Sequence, residues 1–424
     1  MFKRNIAANF LESLKDTPVV LLNGSRQVGK STFVKSLLKG THQYITLDDP
    51  TTLSSIKKDP TLFLQGLNGP VIIDEIQRAP EIFLPLKKNV DDTKRFGYFV
   101  LTGSANVLSL PRLGDSLAGR MEIHMLWPLS YGEMHEVKED FISFLFGETL
   151  KLPGGMIPPS NLSLSDIVEW MCRGGYPEAV RRETEKRRQR WFSSYITMVL
   201  EKDVRDLSNI EGLSELPNLM QLMAFRTGTL LNTSEVSRSL RIPNTTLKRY
   251  LSLLENLFLL VIMPPWAKNA TKRLVKAPKI YLNDTGLLLH LTGHDSSRLR
   301  EDRNFLGHVF ENFVVLELLK QTTWSEKLCR MFHYRTHTGQ EVDIVIEAQD
   351  SRIVAIEIKL ANAVTPKDFS GIIALEEETG SLFHRGIVLY LGQSIIPFGP
   401  NKHAIPLQIM ISQNLKKIPS IRHS

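Results

Sequence analysis

Gly24-Ser-Arg-Gln-Val-Gly-Lys-Ser31 decides the fold, because this stretch follows the apolar run Pro18-Val-Val-Leu-Leu-Asn23 and precedes the helical segment Thr32-Phe-Val-Lys-Ser-Leu-Leu38. It fits the pattern G-x-x-x-x-G-K-[ST] between a strand and a helix. The glycines let backbone N–H groups surround phosphate oxygens at the amino end of the helix. Lys30 can reach the outer phosphates and the Ser31 hydroxyl can bind Mg²⁺. The alternative, a glycine turn that only caps a helix, leaves the Lys-Ser pair unexplained.

Three further apolar runs extend this pattern through the first 135 residues. They are Tyr44-Ile-Thr-Leu47, Pro70-Val-Ile-Ile-Asp74 and Tyr98-Phe-Val-Leu-Thr102. Each is separated from the next by a segment with helical spacing, and runs without polar alternation are typical of strands covered on both faces. The sequence therefore predicts an α/β domain around a mostly parallel sheet.

Two of these runs end in polar side chains suited to nucleotide hydrolysis. Asp74 and Glu75 follow an apolar strand, where Asp74 can hold the metal and Glu75 can polarise the attacking water. Ser104 follows the next strand, at the position of a γ-phosphate sensor. A turn capped by Thr102 and Ser104 is the alternative for the second site.

Composition narrows the class of protein. Of 424 residues, 42% are hydrophobic and 23% are charged, which argues against collagen-like, disordered and coiled-coil chains. The longest uncharged apolar run, Leu257 to Met263, is far below the ~20 residues of a membrane span. The N-terminus has no apolar segment of a signal peptide, and there are two cysteines, so we expect a cytoplasmic protein. A net charge of +7 permits contact with nucleic acid without requiring it.

Residues 1–135 are the predicted ATPase domain, and the rest of the chain divides into three further predicted units. Helical spacing predicts a helical lid at 136–214. Residues 215–295 indicate a winged helix, with Asn232 capping one helix, Leu247, Leu251 and Leu254 on one face of the next, and a basic hairpin of 265–275 with 278–282. A second α/β unit is predicted at 296–424, with a helix around Glu311.

Carboxylates in this last unit have the order of a nuclease site. Asp343 precedes Glu357-Ile-Lys359, and residues two apart on a strand face the same side. This arrangement is typical of PD-(D/E)xK nucleases, in which the acids hold one or two divalent metals, Mg²⁺ or Mn²⁺, and the lysine orients water. By resemblance, Glu311 completes a metal site with Asp343 and Glu357, and Lys359 is the candidate nuclease lysine. A salt-bridged polar face of two strands accounts for the same residues, so cleavage stays open.

The chain resembles the bacterial and archaeal AAA+ ATPases that carry a restriction-enzyme-like C-terminal domain. The motifs that carry the resemblance are Gly24–Thr32, Ile73-Asp-Glu-Ile-Gln77, Leu101-Thr-Gly-Ser-Ala105, Leu117-Ala-Gly-Arg120, Gly174-Gly-Tyr-Pro-Glu178, Tyr281-Leu-Asn-Asp-Thr-Gly-Leu287 and Phe310-Glu-Asn-Phe313. It implies that the loop residues bind nucleotide: Gly24, Ser25, Arg26, Gln27, Val28, Gly29, Lys30, Ser31 and Thr32. It also implies that Asp74 and Glu75 form the Walker B pair and that Ser104 is a sensor.

The resemblance further implies an arginine that reaches the γ-phosphate of a neighbouring subunit, and hence a homo-oligomer. Arg120 is the candidate, with Arg112 behind it, and a salt bridge to the helical region is the alternative. The predicted function is a Mg²⁺-dependent ATPase coupled to DNA through Lys248, Arg249, Lys268, Lys272 and Arg273. The alternative is a nucleotide-driven switch that docks protein partners without DNA.

Overall fold

The computed structural model describes residues 2–106, 117–150, 163–204, 213–269, 271, 273 and 276–411. Arg112 and Lys272 lie outside these ranges. Within them the chain forms a five-stranded, a two-stranded and a six-stranded sheet, joined by helices. No helix in this part of the chain is both long and apolar enough to span a membrane.

The first sheet is built from the apolar runs of the N-terminal region. Its strands are Val19–Asn23 (β1), Gln43–Thr46 (β2), Val71–Asp74 (β3), Phe99–Gly103 (β4) and Met121–Met125 (β5). They are parallel and lie in the order β2-β3-β4-β1-β5. Every residue of β1, β3 and β4 is buried, as expected when helices cover both faces. The four predicted strands are confirmed, and the edge strand β5 was not predicted.

Among the described residues, five helices flank these strands, and two of them begin at side-chain caps. They are Ala7–Ser13 (α1), Lys30–Leu37 (α2), Pro50–Lys58 (α3), Pro60–Gln65 (α4) and Phe83–Thr93 (α5). Asp49 and Asp59 accept backbone N–H bonds at the starts of α3 and α4, each followed by a proline. Because the strands are parallel, the segments after β1, β3 and β4 meet at one edge of the sheet, where α/β proteins bind ligands.

The helical region between the first two sheets contacts the C-terminal part of the chain. Its helices are Tyr131–His135 (α6), Phe141–Phe146 (α7), Leu164–Arg173 (α8), Pro177–Val180 (α9) and Glu185–Met198 (α10). The backbone N–H of Tyr131 donates to Glu317 at 2.8 Å, and that of Phe141 donates to Gln321 at 2.7 Å. The region predicted as a lid therefore also anchors a later helix.

The next region contains a helix pair and a two-stranded ribbon. Its elements are Leu216–Phe225 (α11), Thr233–Leu240 (α12), Asn244–Asn256 (α13), Leu260–Met263 (β6), Lys279–Leu282 (β7) and Thr285–Thr292 (α14). Asn232 accepts the N–H of Glu235, as predicted for a cap. The ribbon prediction was partly wrong, because β7 pairs antiparallel with β6 and not with the described residues of 265–275. Trp266 instead donates its backbone N–H to His333 of the six-stranded sheet.

The C-terminal part forms the six-stranded sheet behind a long helix. Its elements are Ser296–Glu301 (α15), Arg303–Gln321 (α16), Cys329–Arg335 (β8), Glu341–Ala348 (β9), Ile353–Ile358 (β10), Ser370–Thr379 (α17), Phe383–Tyr390 (β11), Ile396–Pro397 (β12), Lys402–Pro406 (β13) and Leu407–Ile411 (α18). The strand order is β12-β13-β11-β10-β9-β8. Strands β8 to β10 are antiparallel neighbours, whereas β10, β11 and β13 are parallel. The predicted strands β9, β10 and β11 are confirmed.

One apolar cluster runs through all these parts. It extends from Ile6 to Ile411 and includes residues of β1, α16 and β10. A second cluster fills the other face of the N-terminal sheet, and a third lies under the C-terminal sheet around Trp266. The predicted units thus share a core, and their boundaries remain predictions.

Candidate nucleotide site and C-terminal carboxylate cluster

The P-loop, residues 24–31, needs glycine at two positions for steric reasons. A Cβ atom on Gly24 would lie 2.2 Å from the carbonyl oxygen of Leu126. Gly29 has a φ of +96° at the start of α2, a conformation that side chains disfavour. The loop therefore keeps its shape only with glycine at both ends.

Lys30 is held inside this loop. Its Nζ donates to the carbonyl oxygens of Gly24 at 2.8 Å and Ser25 at 3.0 Å. Lys30 is 4% exposed, so its ammonium is directed along the loop instead of into solvent. Both acceptors are carbonyl oxygens of the loop itself, so the ammonium is held within the P-loop.

Asp74 lies at the carboxyl end of β3 and is held by hydroxyl groups. Ser31 Oγ donates to both of its carboxylate oxygens, at 2.9 and 3.0 Å. The hydroxyls of Tyr44 and Thr102 also donate to it. Burial, together with the hydrogen bond to Asp74 and its charge, raises the pKa of Tyr44. A hydroxyl and a carboxylate oxygen side by side are ligands that fit Mg²⁺.

Glu75 follows in a left-handed backbone conformation, with φ +60°. Its N–H donates to Thr102 Oγ1 at 3.2 Å, and its carboxylate accepts from Gln77, which also donates to Ser104 Oγ at 2.8 Å. Burial acts to raise the pKa of Glu75, but the charge of Lys30 and the bonds from Gln77 and Ser104 outweigh it and lower the pKa. Glu75 is therefore ionised at neutral pH and linked to Ser104 through Gln77.

Two segments distant in sequence cover the P-loop. The hydroxyl of Tyr176 lies 3.1 Å from Ser25 Oγ, and Asn283 Nδ2 donates to Tyr176 at 2.9 Å and to Ser25 at 3.3 Å. Asp284 accepts the N–H of Gly175 at 2.6 Å, which joins the two segments. The segments around Gly175 and Asn283 are thus hydrogen-bonded to each other and together contact the P-loop.

A second polar cluster lies between the ribbon and the C-terminal sheet. Lys279 Nζ of β7 is 2.8 Å from Glu311 Oε1 of α16 and 3.3 Å from Asp343 Oδ1 of β9. The Tyr281 hydroxyl donates to the same Glu311 oxygen at 2.7 Å. Burial, and then the charge of Asp343, raises the pKa of Glu311 to about 7, although Lys279 acts to lower it.

Glu357 and Lys359 project from the end of β10 and form an ion pair at 2.9 Å. Lys359 also lies 3.8 Å from Asp368. Burial, and then the charge of Asp343, raises the pKa of Glu357 to about 8. The remaining oxygen of Glu357, Oε2, is buried without a hydrogen-bond partner.

The predicted second metal does not fit this cluster as it stands. The ammonium of Lys279 lies against both Glu311 and Asp343, the acids that a metal would need. Among the described residues, no group of three His, Cys, Asp or Glu side chains is arranged to hold a metal ion. The expectation that Glu311, Asp343 and Glu357 bind a divalent cation is therefore not supported, because a lysine from the ribbon supplies the positive charge there.

Three regions of the chain match known families. Residues 16–135 match a family described as AAA domain. This part of the chain has the AAA-type P-loop fold. Residues 164–298 match a domain of unknown function, DUF8612, and residues 306–410 match another, DUF4143.

Curated relatives span most of the chain. An uncharacterized protein of Mycobacterium tuberculosis is 28% identical over 407 residues, which cover 95% of this chain and 83% of the relative. An uncharacterized protein of Haemophilus influenzae is 26% identical over 260 residues, covering 59% of this chain and 57% of the relative.

Among solved structures, the chain is similar to the Holliday junction branch migration motor RuvB of Thermotoga maritima. That match has 17% identity and a TM-score of 0.29, and covers 64% of this chain and 94% of the other. Cdc6p from Pyrobaculum aerophilum matches with 12% identity and a TM-score of 0.23, covering 68% and 92%.

Arg120 lies at the opposite edge of the AAA sheet from the P-loop. It directly precedes β5, whose first residue is in register with Val19 at the amino end of β1. The five residues of β1 put this edge ~16 Å from the start of the P-loop. Its guanidinium pairs with Asp91 of α5, within the AAA domain and not with the helical region.

Several residues of the site were not found from the sequence. Tyr44 lies one strand away from Asp74, and no role was predicted for Gln77. Lys279 lies in the predicted ribbon, and nothing in its neighbours along the chain indicates a contact with Glu311. The signal that could have found it is the rarity of a buried lysine, which needs an acidic partner.

Proposed function

We propose that this chain is a Mg²⁺-dependent ATPase of the AAA type, which binds and hydrolyses ATP at the P-loop. The observation that carries the proposal is the 2.9 Å contact between Ser31 Oγ and Asp74, beside Lys30. In this proposal the backbone of residues 24–32 and the Lys30 ammonium bind the phosphates. Ser31 and Asp74 would hold Mg²⁺, which neutralises charge on the phosphates.

Glu75 has the role of the base that orients the attacking water in this proposal. Its lowered pKa keeps it ionised, and its bond from Gln77 fixes the carboxylate. Ser104 shares the same Gln77 side chain, which supports a sensor role at the γ-phosphate. In this proposal, loss of the γ-phosphate on hydrolysis would be sensed by Ser104, which follows β4.

The proposal also assigns Arg120 to the active site of a neighbouring subunit. Its place at the far edge of the sheet supports a contact in trans, since it cannot reach its own P-loop. Arg120 and Asp91 are about one-third and two-fifths exposed, and exposed ion pairs exchange partners at little cost. We expect Arg120→Ala to bind ATP but hydrolyse it slowly, with partial rescue when it is mixed with Lys30→Ala subunits. Absence of rescue would assign Arg120 to the Asp91 pair alone.

We further propose that ATP hydrolysis is coupled to DNA through the helix pair α12–α13. Lys248 and Arg249 are exposed on α13, and Arg238 and Arg241 are exposed at the end of α12 and in the following turn. This grouping supports contact with a phosphate backbone in the manner of a winged helix. We do not propose DNA cleavage by Lys359, because the cluster beside it does not fit a metal.

One observation favours the second candidate function, a switch that docks protein partners. Arg273, expected to contact phosphate, pairs with Glu347 at 2.7 Å and donates to the Ala267 carbonyl. Its guanidinium also lies over the rings of Trp266 and Phe332. Arg273, which was expected to contact DNA from the wing, is thus paired with residues of this chain. Fewer positive side chains of the predicted wing then remain to bind DNA phosphates.

The experiment that separates the two functions measures phosphate release with and without duplex, forked and single-stranded DNA. DNA binding should weaken steeply as salt is raised from low to physiological concentration. Reversal of Lys248 and Arg249 to Glu should reduce binding, whereas reversal of the exposed Lys57 and Lys58 on α3 is the matched control. If none of these DNAs changed the rate of ATP hydrolysis, and if both charge-reversed variants bound DNA equally, the result would support the switch that docks protein partners.

A further inference from the structure

We propose that Lys279 is the resident cation of the Glu311–Asp343 cluster, and that its ammonium takes the place of a divalent metal ion. The cluster is then a latent metal site, closed by a side chain of the same chain. This inference does not depend on the nucleotide site, and it concerns a part of the molecule that the proposed ATPase does not use.

The first support is the position of the ammonium. Its nitrogen contacts one carboxylate oxygen from α16 and one from β9, at 2.8 and 3.3 Å. A single cation that joins acids from two elements does what a bridging metal does in a nuclease-like centre. An ammonium has three hydrogens to donate, so it can satisfy both acids.

The second support is burial. Only 6% of the Lys279 side chain is exposed, with 13% for Glu311 and 14% for Asp343. Two neighbouring carboxylates with so little solvent cannot both stay charged without a cation. The cluster therefore requires a positive charge, and the structure supplies it from β7.

The third support is the way in which β7 is fixed beside the cluster. Asn312, next to Glu311, accepts the N–H of Leu282 at 3.0 Å and donates to its carbonyl at 3.1 Å. Tyr281, on the same strand as Lys279, donates its hydroxyl hydrogen to Glu311 of α16. These bonds hold Lys279 in place, so the ammonium is built into the fold and does not lie there by chance.

The two oxygens of Asp343 show why a metal would find room only after Lys279 is removed. Asp343 Oδ2 accepts the N–H of Ile358 at 2.9 Å, whereas Oδ1 lies 3.3 Å from the Lys279 ammonium. The Asp343 oxygen that faces Lys279 is thus the one left for a ligand.

The test measures Mn²⁺ binding to the nucleotide-free, full-length protein, counted from the loss of the free-ion EPR signal. Lys279→Ala should gain one bound Mn²⁺ per chain relative to the wild type. The double variant Lys279→Ala with Asp343→Asn should lose that gain, which separates it from any ion at Ser31 and Asp74. Lys279→Arg keeps the charge and is the matched control, expected to gain nothing.

Two results would overturn the proposal. One is Mn²⁺ binding by the wild type that Asp343→Asn abolishes, because the lysine would then not exclude the metal. The other is a folded Lys279→Ala, or folded Lys279→Gln, that gains no Asp343-dependent ion. If both variants are unfolded in chelator, Mn²⁺ should restore the fold seen by circular dichroism, and failure to do so at any concentration would equally contradict the proposal.

Discussion

Lys30 and Lys279 are both buried lysines close to carboxylates, yet their immediate partners differ. Counted as whole residues, Lys30 is 4% exposed and Lys279 is 5% exposed. Lys30 donates to two backbone carbonyls, while Asp74 is held by hydroxyls. Lys279 donates directly to Glu311 and Asp343. At the P-loop, Lys30 donates to neutral carbonyls and acts on Glu75 through its charge, whereas Lys279 bonds directly to two carboxylates.

This difference shows why similar residues give different chemistry. A charge held by neutral groups in a buried site can still attract a ligand of opposite charge. A charge that is already paired with an opposite charge attracts a further ligand only weakly. Breaking such a buried pair leaves an uncompensated ion in the interior, which costs a large desolvation free energy. The ion pairs of the C-terminal cluster therefore hold β7, α16 and β9 together, whereas the P-loop lysine is held by the backbone of its own loop.

The largest expected effect contrasts two acids. Glu75→Gln should slow ATP hydrolysis by ~10²–10⁴-fold while ATP still binds, because glutamine cannot accept the proton of water. Glu357→Gln should leave hydrolysis unchanged, since Glu357 belongs to the other cluster. Single-turnover phosphate release and a nucleotide-binding titration measure the two quantities. Equal rates for Glu75→Gln and wild type would remove Glu75 from its assigned role.

A second contrast concerns stability. Lys279→Met should lower the free energy of unfolding by ~3–5 kcal/mol, because it leaves two buried carboxylates without their cation. Lys279→Arg should restore most of this loss, as it keeps the charge. Urea denaturation followed by circular dichroism provides the measurement. A Lys279→Met protein as stable as the wild type would mean that solvent or protonation already compensates the acids.

A third contrast concerns ATP affinity. Lys30→Met removes a charge-assisted contact with phosphate, worth ~1.5–3 kcal/mol, and should weaken ATP binding by ~10–100-fold. Lys279→Met should leave the dissociation constant unchanged, measured under conditions in which both variants are folded. If both variants lost affinity equally, the two sites would be coupled and the comparison would fail.

The smallest effect concerns the cover of the P-loop. Tyr176→Phe removes the hydroxyl between Ser25 and Asn283, which is worth ~0.5–1.5 kcal/mol for a neutral hydrogen bond. We expect a decrease in ATP affinity of at most ~10-fold with an unchanged fold. Calorimetric titration with ATP would measure it, and Tyr98→Phe, on a distant part of the sheet, is the control. A loss as large as that of Lys30→Met would mean that Tyr176 shapes the whole loop.

The sequence predicts what depends on neighbours along the chain. The strands β1, β3 and β4 were found because each is a short apolar run that the fold buries completely, and the P-loop was found because its residues are consecutive. The partner of β7 was missed because the run containing β6 was considered only for its length. Tyr44 and Lys279 were missed because their partners lie 30 residues away in the first case, and 32 and 64 in the second. Such contacts are set by the packing of separate elements, which local patterns do not record.

The bond between the N–H of Tyr131 and Glu317 has a consequence for how the protein is made. The two residues are 186 positions apart in the chain. At ~5–20 residues per second, a ribosome needs on the order of 10–40 s to synthesise the residues between them. Throughout that time the apolar residues of α6 and α7 lack the helix that covers them, although the AAA sheet is already complete. A nascent chain of this protein therefore leaves the apolar residues of α6 and α7 uncovered until α16 has been synthesised.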